Sequence, residues 1–151
     1  MKIKDFLSKE CIMLDLKETE KGKHIGEMVG LLASAGKIPN SKVKIIIKKI
    51  IEREKKGSTG IGEGVGIPHV KIKDVDNIVG ALGVSKKGIN FNSLDGHPVY
   101  ISFLLLTPDE DSKEHLQALS AIAQFLKDSY YRDELRAVKN KKQVQELIKK
   151  I

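Results

Sequence analysis

The chain has 151 residues, 40% of them hydrophobic and 31% charged, with a formal net charge of +7. That balance excludes a disordered or fibrous polypeptide and sets the scale of one ordinary domain. No long apolar run follows Met1-Lys2-Ile3-Lys4-Asp5 and Cys11 stands alone, so the sequence shows no secretory leader, membrane span or internal disulfide and fits a reducing cytoplasm. Tryptophan is absent and aromatics make up 5%, which calls for an aliphatic core with Cys11 as one small buried member.

Taken in order, Ile12-Met13-Leu14 reads as a first strand. Ile25, Met28, Val29, Leu32 and Ala33 recur at helical spacing between Thr19 and Ala35, with Gly36 as the stop. A second helix is expected from Asn40-Ser41, either of which can cap it, through Val43, Ile46, Ile47, Ile50 and Ile51 to Gly57. The stretch 57–69 is a glycine-rich loop. Ile78–Val84 and Val99–Leu106 read as strands, separated by turn residues Asn90, Asn92, Asp95 and Gly96. Thr107-Pro108-Asp109 ends the second of these. A third helix follows, capped near Ser112, with Leu116, Leu119, Ile122, Ala123 and Leu126 as its apolar face. Short helical segments near Asp133 and over 141–151 complete the chain. No linker or repeat divides it, so residues 1–151 are expected to form a single α/β domain, a mixed sheet sandwiched by helices.

The chemistry concentrates in Arg53-Glu-Lys-Lys-Gly-Ser-Thr-Gly-Ile-Gly-Glu-Gly-Val-Gly-Ile-Pro-His69. Its glycines allow close backbone approach and clustered N–H groups toward an anion. The pattern fits neither a P-loop, since no Gly-Lys-Ser/Thr closes it, nor a dinucleotide fingerprint, since no helix opens after it. Pro68 stiffens the backbone just ahead of His69, and a neutral imidazole is a competent nitrogen nucleophile near neutral pH. The bland alternative is a histidine packed at a strand end. His115 falls in the first turn of the third helix, where partial positive charge and free N–H groups suit a phosphate. Taken alone it reads more readily as structural than as functional, and spacing does not bring it to His69. His24, one turn before Met28, is expected at the surface or its boundary, and His97 in a turn. Asp109, Glu110, Asp111 and Glu114 fit the start of a helix dipole rather than an acid/base pair. The lysines at 44, 48, 49, 55, 56, 139, 141, 142, 149 and 150 read as solvated helix faces lying mostly away from the His69 face. No basic stripe is interleaved with aromatics as nucleic-acid binding would require, and no helical His-Glu-x-x-His suggests a metal site.

Two segments, Arg53…Gly57-Ser58-Thr59-Gly60-Ile61-Gly62…Ile67-Pro68-His69 and Val99…Leu104-Leu105-Leu106-Thr107-Pro108…Ser112-Lys-Glu-His115-Leu116…Leu119, closely resemble the landmarks of the fructose/mannitol type (type 2) enzyme IIA of the bacterial phosphotransferase system (PTS). Asp95-Gly96 fits as well, and the resemblance runs in order along nearly the whole chain. It implies that His69 accepts a phosphoryl group from the phosphohistidine of an HPr-like phosphocarrier protein. It likewise implies that His115 is the second active-site histidine, that Arg53 stabilises the charge, and that Ser58 and Thr59 help hold the group. No cofactor or metal is implied. The onward partner would be a cysteine-bearing IIB domain in a sugar-transport member, or regulated proteins in a nitrogen-regulatory one. The lack of a IIB or membrane segment tilts expectation toward the regulatory form. A module of the same fold that transfers nothing is the other alternative. Gly66 departs from the family's usual alanine, which is expected to do no more than loosen the strand before Pro68. A basic docking face on the carrier would sit uneasily with the +7 charge.

Overall fold

The computed structural model describes residues 1–110 and 112–151. Two 3₁₀ turns, Ile3–Asp5 and Lys9–Cys11, lead into a short β1, Ile12–Met13. Cys11 is buried there, as a small apolar side chain should be. Helix α1 (Lys21–Ser34) buries His24, Ile25, Met28, Val29 and Leu32 as one stripe. It stops where Gly36 adopts a left-handed conformation (φ 73°). The Gly36 and Lys37 N–H groups then return to the Ala33 and Leu32 carbonyls, the double bond pattern of a glycine-terminated helix.

Helix α2 (Val43–Lys55) starts later than its sequence suggests, because Asn40–Lys42 form a 3₁₀ turn after Pro39. Neither Asn40 nor Ser41 caps it: no side-chain bond closes its N-terminus. The glycine-rich stretch is not a bare loop. It folds into the antiparallel pair β2 (Gly60–Gly62) and β3 (Val65–Gly66), turning through Gly62, Glu63 and Gly64, all at positive φ. Ile67-Pro68 separates β3 from β4 (His69–Ile72). Strands β5 (Val79–Ile89) and β6 (Val99–Pro108) outrun their expected ends. Helices α3 (Ser112–Lys127), α4 (Ser129–Ala137) and α5 (Lys141–Lys149) complete the chain. Asp128 and Asn140 cap the last two. The acidic cluster expected at the start of α3 includes Asp111, which lies outside the described residues.

The sheet is mixed. Its order is β1-β5-β6-β3-β2, with β4 also on β6. Only β5/β6 and β2/β3 are antiparallel among the described strands. Strands β3 and β4 share one edge of β6: Val65 and Gly66 pair with Ile101 and Ser102, and His69 to Ile72 pair with Leu105 to Pro108. Successive side chains on a strand point to opposite faces. Ser102 bonds His24 of α1 and Thr107 bonds His115 of α3; even and odd positions of β6 therefore face different helices. Helices α1 and α2 pack on each other and on β5 and β4, whereas α3 and α4 pack on each other and on β6. A mixed sheet between helical layers is the α/β architecture expected, around a core that is mostly aliphatic plus Phe6, Phe91, Phe103 and Phe125.

The apolar face of α3 differs from the one expected at two positions. Leu116 is 67% exposed and Ala123 is exposed too, and the buried stripe is His115, Ala118, Ile122, Phe125 and Leu126. Ile122 and Leu126 keep their expected inward places, while in the first turns the buried side runs through Ala118 and His115.

Candidate functional site

Register decides where the two histidines meet. His69 pairs with Leu105 and Lys71 with Thr107, and residues paired in register share a face. His69, Lys71 and Thr107 therefore all point toward α3. His115, in the first turn of that helix, is buried and lies with its ring centroid 5.6 Å from that of His69. Spacing alone left this pairing open; the parallel β4/β6 register produces it.

Each ring has one nitrogen committed. His69 Nδ1 lies 2.6 Å from the Ile67 carbonyl oxygen. A carbonyl can only accept, so the neutral ring carries its proton on Nδ1 and keeps its lone pair on Nε2. His115 Nδ1 lies 2.8 Å from the hydroxyl of the fully buried Thr107. Burial pulls the His69 imidazole below its ordinary value and the Arg53 charge acts in the same direction, against the Ile67 bond and the Glu54 carboxylate. Burial, then the charges of His69 and Lys71, brings His115 down to about 4. At neutral pH both rings are neutral.

Cations stand around this pair. Arg53, on the last turn of α2, donates from Nη1 to the Gly57 carbonyl (3.0 Å) and its charge is felt at His69. Lys71 donates to Ser112 Oγ at the start of α3 (2.9 Å), and its charge is felt at His115. Among the described residues no group of three His, Cys, Asp or Glu side chains is placed to hold a metal ion.

Ser58 and Thr59 have hydroxyls committed within the protein. Ser58 Oγ donates to the Phe91 carbonyl and accepts from the Gly60 N–H, both at 3.0 Å. Thr59 is buried, and its hydroxyl and backbone N–H both donate to Glu54. Their side chains brace the loop. Gly66 is also more constrained than expected: a Cβ there would meet the Phe91 ring at 3.2 Å, so the missing methyl makes room for Phe91.

His24 corrects the expectation of a surface position. It is fully buried, with Nε2 2.7 Å from Ser102 Oγ. His97 does sit in the exposed turn, its N–H bonded to Asp95. Helix α5, which carries Lys141, Lys142 and Lys149, packs beside the two N-terminal 3₁₀ turns, whereas α2 packs on β4, the strand that carries His69. Lys71, Thr107, Glu54 and Lys21 were missed in the sequence. Lys71 had a signal, being two residues past His69 on a strand. So did Glu54, which continues the Ile46, Ile50 stripe by four.

Residues 5–151 match the model of the family described as phosphoenolpyruvate-dependent sugar phosphotransferase system, EIIA 2. The chain belongs to this family. It is 36% identical to a nitrogen regulatory protein of Bradyrhizobium diazoefficiens over 91% of this chain and 88% of that one. It is 39% identical to the fructose-specific EIIABC component of Bacillus subtilis over 90% of its own length, although that match spans 20% of the larger protein. The crystal structure of nitrogen regulatory protein IIA-Ntr from Neisseria meningitidis superposes with a TM-score of 0.86 at 31% identity, covering 97% of this chain and 98% of that one. Among the described residues no helix is long and apolar enough to cross a membrane.

Proposed function

We propose that this enzyme IIA family member is a cytoplasmic phosphocarrier that takes a phosphoryl group on Nε2 of His69 from the phosphohistidine of an HPr-like protein. The observation that carries the proposal is the Nδ1–H bond to Ile67, which leaves Nε2 as the nucleophile. In the transfer its lone pair forms the new N–P bond as the donor's N–P bond breaks, and the departing pair stays on the donor imidazole. The Ile67 carbonyl holds the Nδ1 proton throughout. Catalysis of this kind is positioning and charge stabilisation. His115 stands beside the incoming group, Arg53 and Lys71 oppose its negative charge, and Ser58 and Thr59 hold the loop that frames it. No metal is required by this arrangement. The likeness to nitrogen regulatory proteins over most of both chains supports a regulatory member, whose phosphorylation state governs regulated proteins. Passage to a IIB domain is the alternative, supported by the fructose-specific relative.

The test is phosphoryl transfer from phosphoenolpyruvate through purified enzyme I and the HPr-like protein, with intact-mass detection. Wild type should gain one acid-labile phosphoryl group and His69→Ala none. Absence of transfer to wild type, with donors proven active, overturns the proposal in favour of a non-transferring module.

A further inference from the structure

Glu54 is an anion inside the protein. It is 6% exposed, and a buried carboxylate survives only where bonds and countercharge replace water. Here they come from three sources. The Thr59 N–H donates to Oε1 at 3.2 Å, the Thr59 hydroxyl to Oε2, and Lys21 Nζ of α1 lies 3.0 Å from Oε1. Lys21 is itself largely covered, standing 4.8 Å from the Phe91 ring centroid and 3.5 Å from Ser58 Oγ.

The bonds do not end at Thr59. Its carbonyl accepts the Ile67 N–H at 3.0 Å, and the Ile67 carbonyl accepts the His69 Nδ1–H at 2.6 Å. From α1 to the imidazole the run is continuous: Lys21, Glu54, Thr59, Ile67, His69. The carbonyl that selects the tautomer of His69 belongs to the short Ile67-Pro68 segment between β3 and β4, and Thr59 is where that segment is tied to a helix-borne side chain.

We infer that Glu54, supported by Lys21, is a positioning residue for His69, acting through Thr59 and the Ile67 carbonyl to hold the imidazole in its Nδ1–H tautomer and orientation. Its kinetic consequence rests on the phosphocarrier function proposed above; its structural consequence does not. An imidazole protonated on Nε2 has no lone pair to offer an incoming phosphorus there, so any share of that tautomer is lost to transfer. A misplaced ring adds to the loss, since a 1 Å displacement of a reacting group can cost about a hundredfold in rate.

The experiment reads the ¹⁵N shifts of the His69 ring in unphosphorylated, isotope-labelled protein near pH 7, alongside the rate of phosphoryl transfer. Wild type should show the Nδ1–H tautomer almost alone. Glu54→Ala should show both tautomers and accept the phosphoryl group at least about tenfold more slowly. A loss of stability by itself would leave the tautomer ratio of the folded protein unchanged. A folded Glu54→Ala with the wild-type ratio overturns the inference. Should that variant not fold, Lys21→Met and Glu54→Gln decide between the same two outcomes. If wild type accepts no phosphoryl group, the phosphocarrier function fails while the tautomer measurement still decides the role of Glu54.

Discussion

Lowering the pH should destabilise this protein through His24. The ring is fully buried against Ser102 and Phe91, and burial depresses its pKa from the ordinary 6.5 to about 4. The unfolded chain therefore binds a proton near pH 6.5 that the folded protein refuses until about pH 4. Stability contributed by the neutral ring is complete above the unfolded value and is lost as pH falls through this window. Between pH 7.5 and pH 5 the loss from His24 comes to about 2 kcal/mol, approaching about 3 kcal/mol near pH 4. His115, down to about 4, and His69, also lowered, act in the same direction. The assay is urea unfolding at several pH values for wild type and for His24→Gln, which keeps a hydrogen-bonding group opposite Ser102 but does not titrate. The variant should lose about 2 kcal/mol less than wild type between pH 7.5 and pH 5. Parallel curves for the two proteins would refute the depressed pKa and with it the burial that causes it.

Three further substitutions test the loop and the histidine pair. Gly60→Ala places a Cβ 2.3 Å from Ser93 Oγ and 2.9 Å from Ser93 Cα; it should destabilise by about 1–3 kcal/mol in thermal or urea unfolding, and an unchanged midpoint would contradict the close approach. Thr107→Val leaves His115 Nδ1 without its hydroxyl partner and should cost about 1–3 kcal/mol on the same assay, with wild-type stability as the refuting result. Lys71→Met removes a charge that depresses His115, so an NMR titration should find that histidine titrating higher than in wild type; no movement would mean that the two side chains do not face each other.

Much of the molecule was legible in order along the chain. The stripes of α1 and α2, the two long strands and the mixed α/β class follow from apolar spacing, and the two family landmarks picked out His69, His115 and Arg53 as candidates. What spacing could not supply was register. The approach of His69 to His115 depends on β3 and β4 dividing one edge of β6, a pairing between residues 36 positions apart in the sequence. The α3 stripe shows a different limit: Leu116 is apolar but exposed, and the histidine beside it takes the buried position, because helical phase rather than hydrophobicity selects the inward side chain. His24 was misplaced for the opposite reason. A polar residue on an apolar stripe looks like a boundary until a partner such as Ser102 appears on the facing strand. Glu54 was passed over because a charge on the inward face of α2 makes sense only once Thr59 and Lys21 are seen around it.

Strand β6 has neighbours along both edges and helices over both faces, and it holds Ser102 for His24 on one side and Thr107 for His115 on the other. Amides in such a central strand are expected to exchange late, close to the free energy of global opening. His69 is paired to this strand through its own backbone. The His69 ring thus rides on a strand paired to the centre of the sheet rather than on a hinge, and under the function proposed above a phosphoryl group would arrive on a firmly held backbone. A partner that distinguishes the loaded from the unloaded protein is then expected, under that same function, to read the doubly negative group and its surroundings at the surface, as one recognises a flag rather than a change in the mast.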